Sequence, residues 1–532
     1  MNLRLKRIPL LGMLLAFFMA AQVVNAAQVT LRSLDGSVAM RGELLSFDGD
    51  FYILEVMLGQ LEVAVDEVIC EGEACPELTN SDFRLTGSST LAQVLIPSLF
   101  QDFASGYGLS LTLGDPKFMG TMPVQPYLFL TPDGEPFADV EVHSLASNMA
   151  FNSLMDGASE IALSSRVITA LELEAFAAAG LGDLSDETYQ VVAALDGLIV
   201  IVPPENDVQT LSMQELSQIF SGQILNWAQL DGANEPINVY RRDDGSGSAS
   251  DFHTVVLEPS GANFSARSTS FTDDISLVRA VMDDPNGIGF TSIAYQQNTR
   301  AVPLRGTCGF ISTPSEFTVK TGEYPLARRV YLYTTNRMFG TMNKEKAEKA
   351  LGFLAYVKSD AGQQAAQASG FISQTIAALP IEVQGQRLVN TMLADLGDVS
   401  LGSIRNMVAE LSGAIRLSST FRFKLNAAEL DAQARGDIPR LAAYLRNNDF
   451  TGREFLIAGF SDAAGSAGKN AALSLRRAQQ VLDELQVELG VEAGEYSFVV
   501  KGFGEVSPQG CNDSIEGRSV NRRVEIWVRE AT

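Results

Sequence analysis

At 532 residues the chain exceeds the ~250–300 residues at which a single hydrophobic core stops growing, so two to four domains are expected. Apolar residues at 46% and charged residues at 19% describe an ordinary folding chain, not a disordered or collagenous one. A formal net charge of -25 argues against nucleic acid as a partner, and two histidines with four cysteines leave little material for metal sites.

The chain opens as an export signal. Arg4, Lys6 and Arg7 precede an apolar stretch from Ile8 to Val24, which Val24-Asn25-Ala26 closes with small residues. Residues 1–26 are therefore expected to be a cleaved signal peptide; an uncleaved membrane anchor is the alternative, since the stretch is at the short end of spanning lengths. No cysteine follows the apolar stretch, so a lipid-modified N-terminus is not expected. Export makes disulfides possible. Cys70 and Cys75 lie close enough to close a small loop and are the expected pair. Cys308 and Cys511 could bridge two domains, stay free or pair between molecules, and spacing leaves all three open.

Within a first module over 27–80, residues 27–69 alternate apolar and polar side chains, with turn signals at Asp35-Gly36, Asp48-Gly49-Asp50 and Gly59. This predicts a small module of antiparallel β hairpins with no catalytic constellation. From 81 to 378, short β-branched runs such as GLIVIVPP and RRVYLYTT alternate with helical stretches, which predicts an α/β region. Its size calls for two lobes. Residues 379–412 carry a helical spacing (Leu388, Met392, Leu396; then Ile404, Met407, Leu411) and read as a helical linker. If straight, it would span about 50 Å and hold its neighbours apart. Residues 413–532 restart as a β-α-β-α-β-β alternation, with helices expected over 427–447 and 470–489.

The last segment carries the most specific motifs. GFSDAAG is followed by NAALSLRRAQQ from Asn470, GFGEVSP, and Asn521-Arg522-Arg523-Val524-Glu525. Over about 413–532 this resembles the OmpA-like peptidoglycan-binding domain, an α+β fold. The resemblance implies that Asp462 and Arg477 hold the diaminopimelate end of a peptidoglycan stem peptide. The chemistry is coherent: a carboxylate and a guanidinium fork satisfy the ammonium and the carboxylate of an amino-acid terminus together. The second arginine of the Asn521-Arg522-Arg523 run is expected to brace the fold.

The middle region has its own ordered landmarks: TGSSTLAQVLIPSLF, GASEIALSSRVIT, LSQIFSGQILNW, VYRRDDGSGSASDF and NGIGFTSIAY. Over about 81–378 these are similar to the phosphate-type substrate-binding proteins of ABC transporters, with a two-lobed type II periplasmic-binding-protein fold. Small residues in R-x-D-G-S-G-S let backbone N–H groups approach an oxyanion while hydroxyls donate, and an arginine adds a bidentate charge. Carried over residue by residue, the resemblance places Thr90 and Leu91 in the first anion-binding loop and Ser147 in the second. Arg242, Ser246, Gly247 and Ser248 fall in the third. Ser165 stands where the resemblance implies an aspartate that accepts a proton from the bound anion. A serine can donate as well as accept, so specificity for inorganic phosphate is not implied at this position.

The leading expectation is a periplasmic solute-binding protein that captures phosphate or a related oxyanion. It would be tethered non-covalently to peptidoglycan, associated with the cell wall and outer membrane, and served by an inner-membrane ABC transporter. The departure at Ser165 supports an alternative, a cell-envelope docking protein whose binding fold holds a protein partner. No G-x-S-x-G elbow or HExxH motif occurs, and no cofactor, catalytic residue or metal is implied. The charge is uneven: residues 413–532 hold 15 basic and 16 acidic side chains, while 27–80 hold 2 and 11. Any anion site must therefore work locally, through Arg242 and aligned dipoles, against an acidic background.

Overall fold

The computed structural model describes residues 28–531 apart from 34–37, 48–50, 57–58, 65–67, 73–74, 76–80, 120–121, 146, 341, 395–398, 424, 426–429 and 431. The expected signal peptide and the Asp48-Gly49-Asp50 turn lie outside the described residues.

The first unit is an antiparallel five-stranded sheet of Gln28–Ser33, Ala39–Phe47, Phe51–Val56, Gly59–Ala64 and Val68–Glu71. Its period-two pattern puts Val29, Leu31, Tyr52, Leu54, Val63 and Val68 into one small core. Cys70 and Cys75 are disulfide-bonded beside that core.

A twelve-stranded sheet runs through the middle of the chain and is divided between two lobes. In the first lobe Phe83–Ser88 pairs in parallel with Pro136–Leu145 and Ile161–Ser164. In the second, Asn238–Arg242 pairs in parallel with Thr269–Phe271 and Gly287–Ser292. Each lobe has its own core, around Phe100, Leu163 and Phe353 in the first and Ile201, Phe252 and Phe290 in the second. The strand Gln190–Val202 crosses between them: residues 190–197 pair with Ala327–Tyr333, and residues 198–201 pair with Gly287–Ser292. It reads as an almost unbroken apolar run because both faces are covered. The exception is Asp196 at the crossing point, fully buried and paired with Arg328 at 2.8 Å. The ends of the parallel strands in both lobes point to one shared crevice, where open α/β sheets place ligands.

The C-terminal unit is a five-stranded sheet ordered Ala378–Pro380, Ile415–Arg422, Arg523–Glu530, Arg453–Gly459 and Ser497–Gly502. Helices Ala432–Arg446 and Ala467–Leu489 cover it, giving the β-α-β-α-β-β order with one strand added ahead. The added strand changes the reading of the linker. Residues 379–412 do not stand as a 50 Å spacer: Ala378–Pro380 joins the sheet, and helices Gly385–Leu393 and Leu401–Leu411 fold back onto it. Met407 and Leu411 pack with Leu456, Phe460 and Trp527.

The same unit is fastened to the second lobe. Cys308 and Cys511 form a disulfide across a separation of 203 residues, which settles the three possibilities left by sequence. Thr307 Oγ1 donates to Asp513 Oδ2 at 2.6 Å beside it. Arg416 pairs with Glu323 at 2.6 Å, and Arg422 donates to the carbonyls of Thr321 and Gly322 at 2.6 and 3.0 Å. Behind these contacts Glu525 receives Arg387 through both oxygens at 3.0 Å, Arg416 at 3.1 Å and Arg523 at 2.6 Å. Burial works against the Glu525 charge, yet the three guanidiniums outweigh it and hold its carboxyl well below the usual range. Glu323 is half-buried, which opposes its charge, and Arg416 holds its carboxyl low.

Candidate functional site

Four loops at the strand ends meet between the lobes. Phe83–Ser88 delivers Ser89 and Thr90, and only glycine fits at position 87, where φ is +142° and a Cβ would lie 2.2 Å from the Leu163 carbonyl oxygen. Helix Ser147–Asp156 starts at Ser147, and Ser165 follows the strand Ile161–Ser164. Asn238–Arg242 ends at Arg242, turns through Asp243–Gly245, and enters the helix Gly247–Phe252, where Ser246 caps by accepting from the Ser248 N–H at 3.2 Å. Thr90, Ser147, Ser165, Arg242, Ser246 and Ser248 are all buried.

The loops touch directly. A Cβ on Gly247 would sit 2.3 Å from Ser165 Oγ and 2.5 Å from Ser147 Oγ, so the approach of the two lobes requires glycine here. Ser147 Oγ and Ser165 Oγ are 3.3 Å apart. Arg242 spreads its guanidinium over both lobes: Nη2 donates to Ser89 Oγ at 2.9 Å and to the Thr272 carbonyl at 2.8 Å. Its Nη1 donates to Thr90 Oγ1 at 3.3 Å and to Asp274 Oδ2. Tyr295 donates its hydroxyl to the Thr90 carbonyl at 3.1 Å. Ser248 Oγ accepts from Arg328 Nη2 at 2.8 Å. Leu91 begins the helical turn behind Thr90, and its side chain belongs to the first lobe's core, which leaves its backbone as the part facing the loop chemistry.

Two arginines, Arg242 and Arg328, thus face three carboxylates, Asp196, Asp251 and Asp274. Burial raises the carboxyl pKa of Asp196 and of Asp251, with Arg328 opposing in both cases. Burial also works against the charge of Arg328, but the two aspartates hold it protonated. The crevice is therefore not a positive patch. Its capacity for an anion rests on hydroxyls, backbone N–H groups and one fork of charge, aimed from several directions. Sequence reading missed Ser89, Arg328, Tyr295 and Asp274. Ser89 lies inside the TGSST landmark, but nothing in the spacing singles out Asp274, which looks like the second half of an Asp-Asp helix start.

The C-terminal unit brings its two named residues together at the mouth of its longest helix. Asp462 Oδ2 accepts from Arg522 Nη1 at 2.8 Å, and Oδ1 accepts from the Ala464 N–H at 3.2 Å. Arg477 is buried with its guanidinium 5.2 Å from the Phe423 ring centroid. Burial lowers its pKa to about 10, Asp462 opposes that shift, and Arg522 and Arg476 add to it. Asn512 Oδ1 accepts from the Ala463 N–H at 3.2 Å, so the loop that carries Cys511 borders this site. Arg523 braces the fold through Glu525 and the Ser507 carbonyl at 2.8 Å, as expected; the first arginine, Arg522, is the one on Asp462.

Comparison with known proteins fits this geometry. Residues 79–361, just over half the chain, match the family described as the PBP superfamily domain, and residues 422–522 match the OmpA family. A phosphate-binding protein PstS of Bacillus subtilis is 28% identical over 264 residues, covering 48% of this chain and 79% of its own length. Outer membrane porin F of Pseudomonas aeruginosa is 34% identical over 114 residues, 21% of this chain and 31% of that protein. An ABC-type phosphate transport receptor from Vibrio cholerae, known in structure, is 19% identical with a TM-score of 0.39, covering 55% of this chain and 99% of that one. The chain belongs to the PBP superfamily and carries a C-terminal domain of the OmpA family.

Proposed function

We propose that the chain is an exported, periplasmic solute-binding protein that captures phosphate or a related oxyanion between its two lobes and is tethered non-covalently to peptidoglycan by its C-terminal domain. One observation carries the first half: strand-end loops of both lobes bring Thr90, Arg242, Gly247, Ser147 and Ser165 into a single buried crevice. The backbone of Leu91 and the cap formed by Ser246 and Ser248 complete the donors. The relatives named as phosphate-binding proteins support the ligand class. Binding rather than catalysis is the role, and an inner-membrane ABC transporter is the partner that would receive the ligand.

The second half rests on the pairing of Asp462 with Arg522 beside the buried Arg477. A fixed carboxylate next to two guanidiniums suits the zwitterionic end of a diaminopimelate stem peptide. Residues 1–26 serve as the cleaved signal that delivers the chain to that compartment, and among the described residues no helix is long and apolar enough to cross a membrane.

Calorimetric titration of phosphate into the full chain and into Arg242→Ala tests the crevice. Binding by the parent and a loss of at least ~100-fold in the folded variant is expected, from removing one partner of a buried hydrogen-bonded charge. Equal affinity in the two proteins would sink the assignment. Sedimentation with purified peptidoglycan tests the tether: Asp462→Ala and Arg477→Ala should stay in the supernatant, and pelleting at the parent level would refute it.

A further inference from the structure

A cavity of about 380 Å³ lies where the C-terminal unit meets the binding domain, within the ~300–1,000 Å³ range of small-molecule sites. Its walls come from both. The strand Ile415–Arg422 and the helix Ala432–Arg446 supply Ser419, Arg422, Asp437 and Arg440. The binding domain supplies Arg166, Lys320, Arg328 and Arg329. Thr90, Ser147, Ser165, Arg242 and Gly247 of the crevice are not among its lining residues; Arg328, bound to Ser248 and Asp251, stands between the two spaces.

Among the described residues, six basic and two acidic side chains line the cavity, in a chain of net charge -25. Three of the basic ones are matched where they stand. Arg166 donates through Nη1 and Nη2 to Glu172 at 2.9 and 2.7 Å, and Lys320 pairs with Glu316 at 2.7 Å. Arg328 has Asp196 and Asp251 at 2.8 and 3.0 Å. Arg422 is held in place by the carbonyls of Thr321, Gly322, Ser519 and Val520. Arg329 and Arg440 are different, because they divide the single carboxylate of Asp437. Arg440 Nη1 meets it at 2.5 Å, whereas Arg329 Nη2 reaches it only at 3.5 Å. One carboxylate cannot balance two guanidiniums, and a partly enclosed space screens the remaining charge less than open water does. Much of the remaining lining is apolar, with Leu195, Leu198, Val319, Leu326 and Ile376.

We propose that this cavity binds a small organic oxyanion, a carboxylate or phosphate head carried on an apolar body. The head takes the charge left at Arg329 and Arg440, for which two guanidinium forks are suited, and the body covers the apolar lining. Inorganic phosphate has the charge but leaves the apolar wall wet, and a neutral ring has the reverse defect. An occupant touches both domains at once and stabilises their docked arrangement by mass action. The site is separate from the crevice and does not depend on what the crevice binds.

The test is titration calorimetry on the full chain at neutral pH with naphthoate, naphthyl phosphate, neutral naphthol and inorganic phosphate. At least one of the two naphthyl anions should bind with a dissociation constant of about 1 mM or tighter, and the tighter one names the head group. Naphthol should bind at least ~10-fold more weakly, from loss of the charge-assisted hydrogen bonds. Arg440→Ala removes half of the charged fork, and Ser419→Trp fills the cavity from its half-buried wall. Each should weaken the naphthyl anion at least ~10-fold and leave inorganic phosphate unaffected. Arg242→Ala should leave the naphthyl anion unaffected. A parent that binds neither naphthyl anion overturns the proposal, as does unchanged binding in both folded cavity variants or equal binding of naphthol. Loss of the naphthyl anion in Arg242→Ala, with displacement by inorganic phosphate, would place it in the crevice and overturn the proposal too.

Discussion

The binding domain has two boundaries, and they are built of different materials. Between its lobes the contacts include hydroxyls, a glycine and two guanidiniums: Ser147 and Ser165 against Gly247, Ser89 and Thr90 against Arg242, and Arg328 against Ser248 and Asp251. Between the second lobe and the C-terminal domain they are a disulfide and a buried cluster of arginines and glutamates. Neutral hydrogen bonds of the first kind are worth about 0.5–1.5 kcal/mol net, those from a guanidinium about 1.5–3, and both can be exchanged for bonds to a ligand. A buried multi-arginine cluster and a covalent bridge cannot. Exchangeable contacts thus lie between the lobes, while the C-terminal domain is fastened to the second of them by a covalent bridge and buried ion pairs.

Variants can break that contrast. The largest effect is expected at Glu525: Glu525→Gln leaves three arginines around a neutral amide and should cost about 3–5 kcal/mol of C-terminal-domain stability, read by thermal melting. Anion affinity should not change, and a parallel loss of both would mean the boundaries are not independent. Cys308→Ser comes next. Opening that bridge should lower stability by about 2–4 kcal/mol while the Cys70–Cys75 bond remains, measurable as a melting shift that Cys511→Ser reproduces. Smaller still is Ser147→Ala, which removes one hydroxyl from the crevice and should weaken phosphate binding by roughly 2- to 12-fold with little change in melting.

Acid separates the boundaries by sign. Glu525 and Glu323 have folded pKa values below their ordinary one, so their contribution is present above the ordinary glutamate range and is lost only as pH falls through the depressed values. Asp196 and Asp251 at the crossing between lobes have raised values. Their contribution is full below the ordinary aspartate pKa and is lost as pH rises through the raised one, so mild acid should strengthen the crossing. Hydrogen exchange followed as pH is lowered toward the ordinary glutamate range should show unchanged protection at Ile415–Arg422 and rising protection at Gln190–Val202. Falling protection at the crossing would contradict the assignment.

Much of this was legible in the sequence, for physical reasons. The alternation in 27–80, the strand-helix rhythm of the middle region and the small-residue loop around Gly247 are local signals, and local structure follows them. What sequence could not show depends on distant partners. The helix Gly385–Leu393 is the clearest case. Its spacing of Leu388 and Met392 predicts an apolar buried face, yet Met392 is 83% exposed while Arg387, Asn390 and Thr391 are buried. The Glu525 carboxylate, 138 residues away, claims the guanidinium of Arg387 and turns the helix over. Asp274 is hidden in the same way: its buried hydrogen bonds form only because Thr90 and Arg242 arrive beside it from distant parts of the chain. The helices expected in 379–412 are present, but the segment is no spacer, because the short strand Ala378–Pro380 joins an open sheet edge and Met407 and Leu411 pack on the sheet.

The central claim, anion capture by a wall-anchored protein, can be tested in one tube. Radiolabelled phosphate, the full chain and purified peptidoglycan are mixed and sedimented. The account predicts that label pellets in proportion to the protein and returns to the supernatant with it when the peptidoglycan is digested. Label that stays in solution while the protein pellets would contradict anion capture, and protein that stays in solution with its label would contradict the anchor.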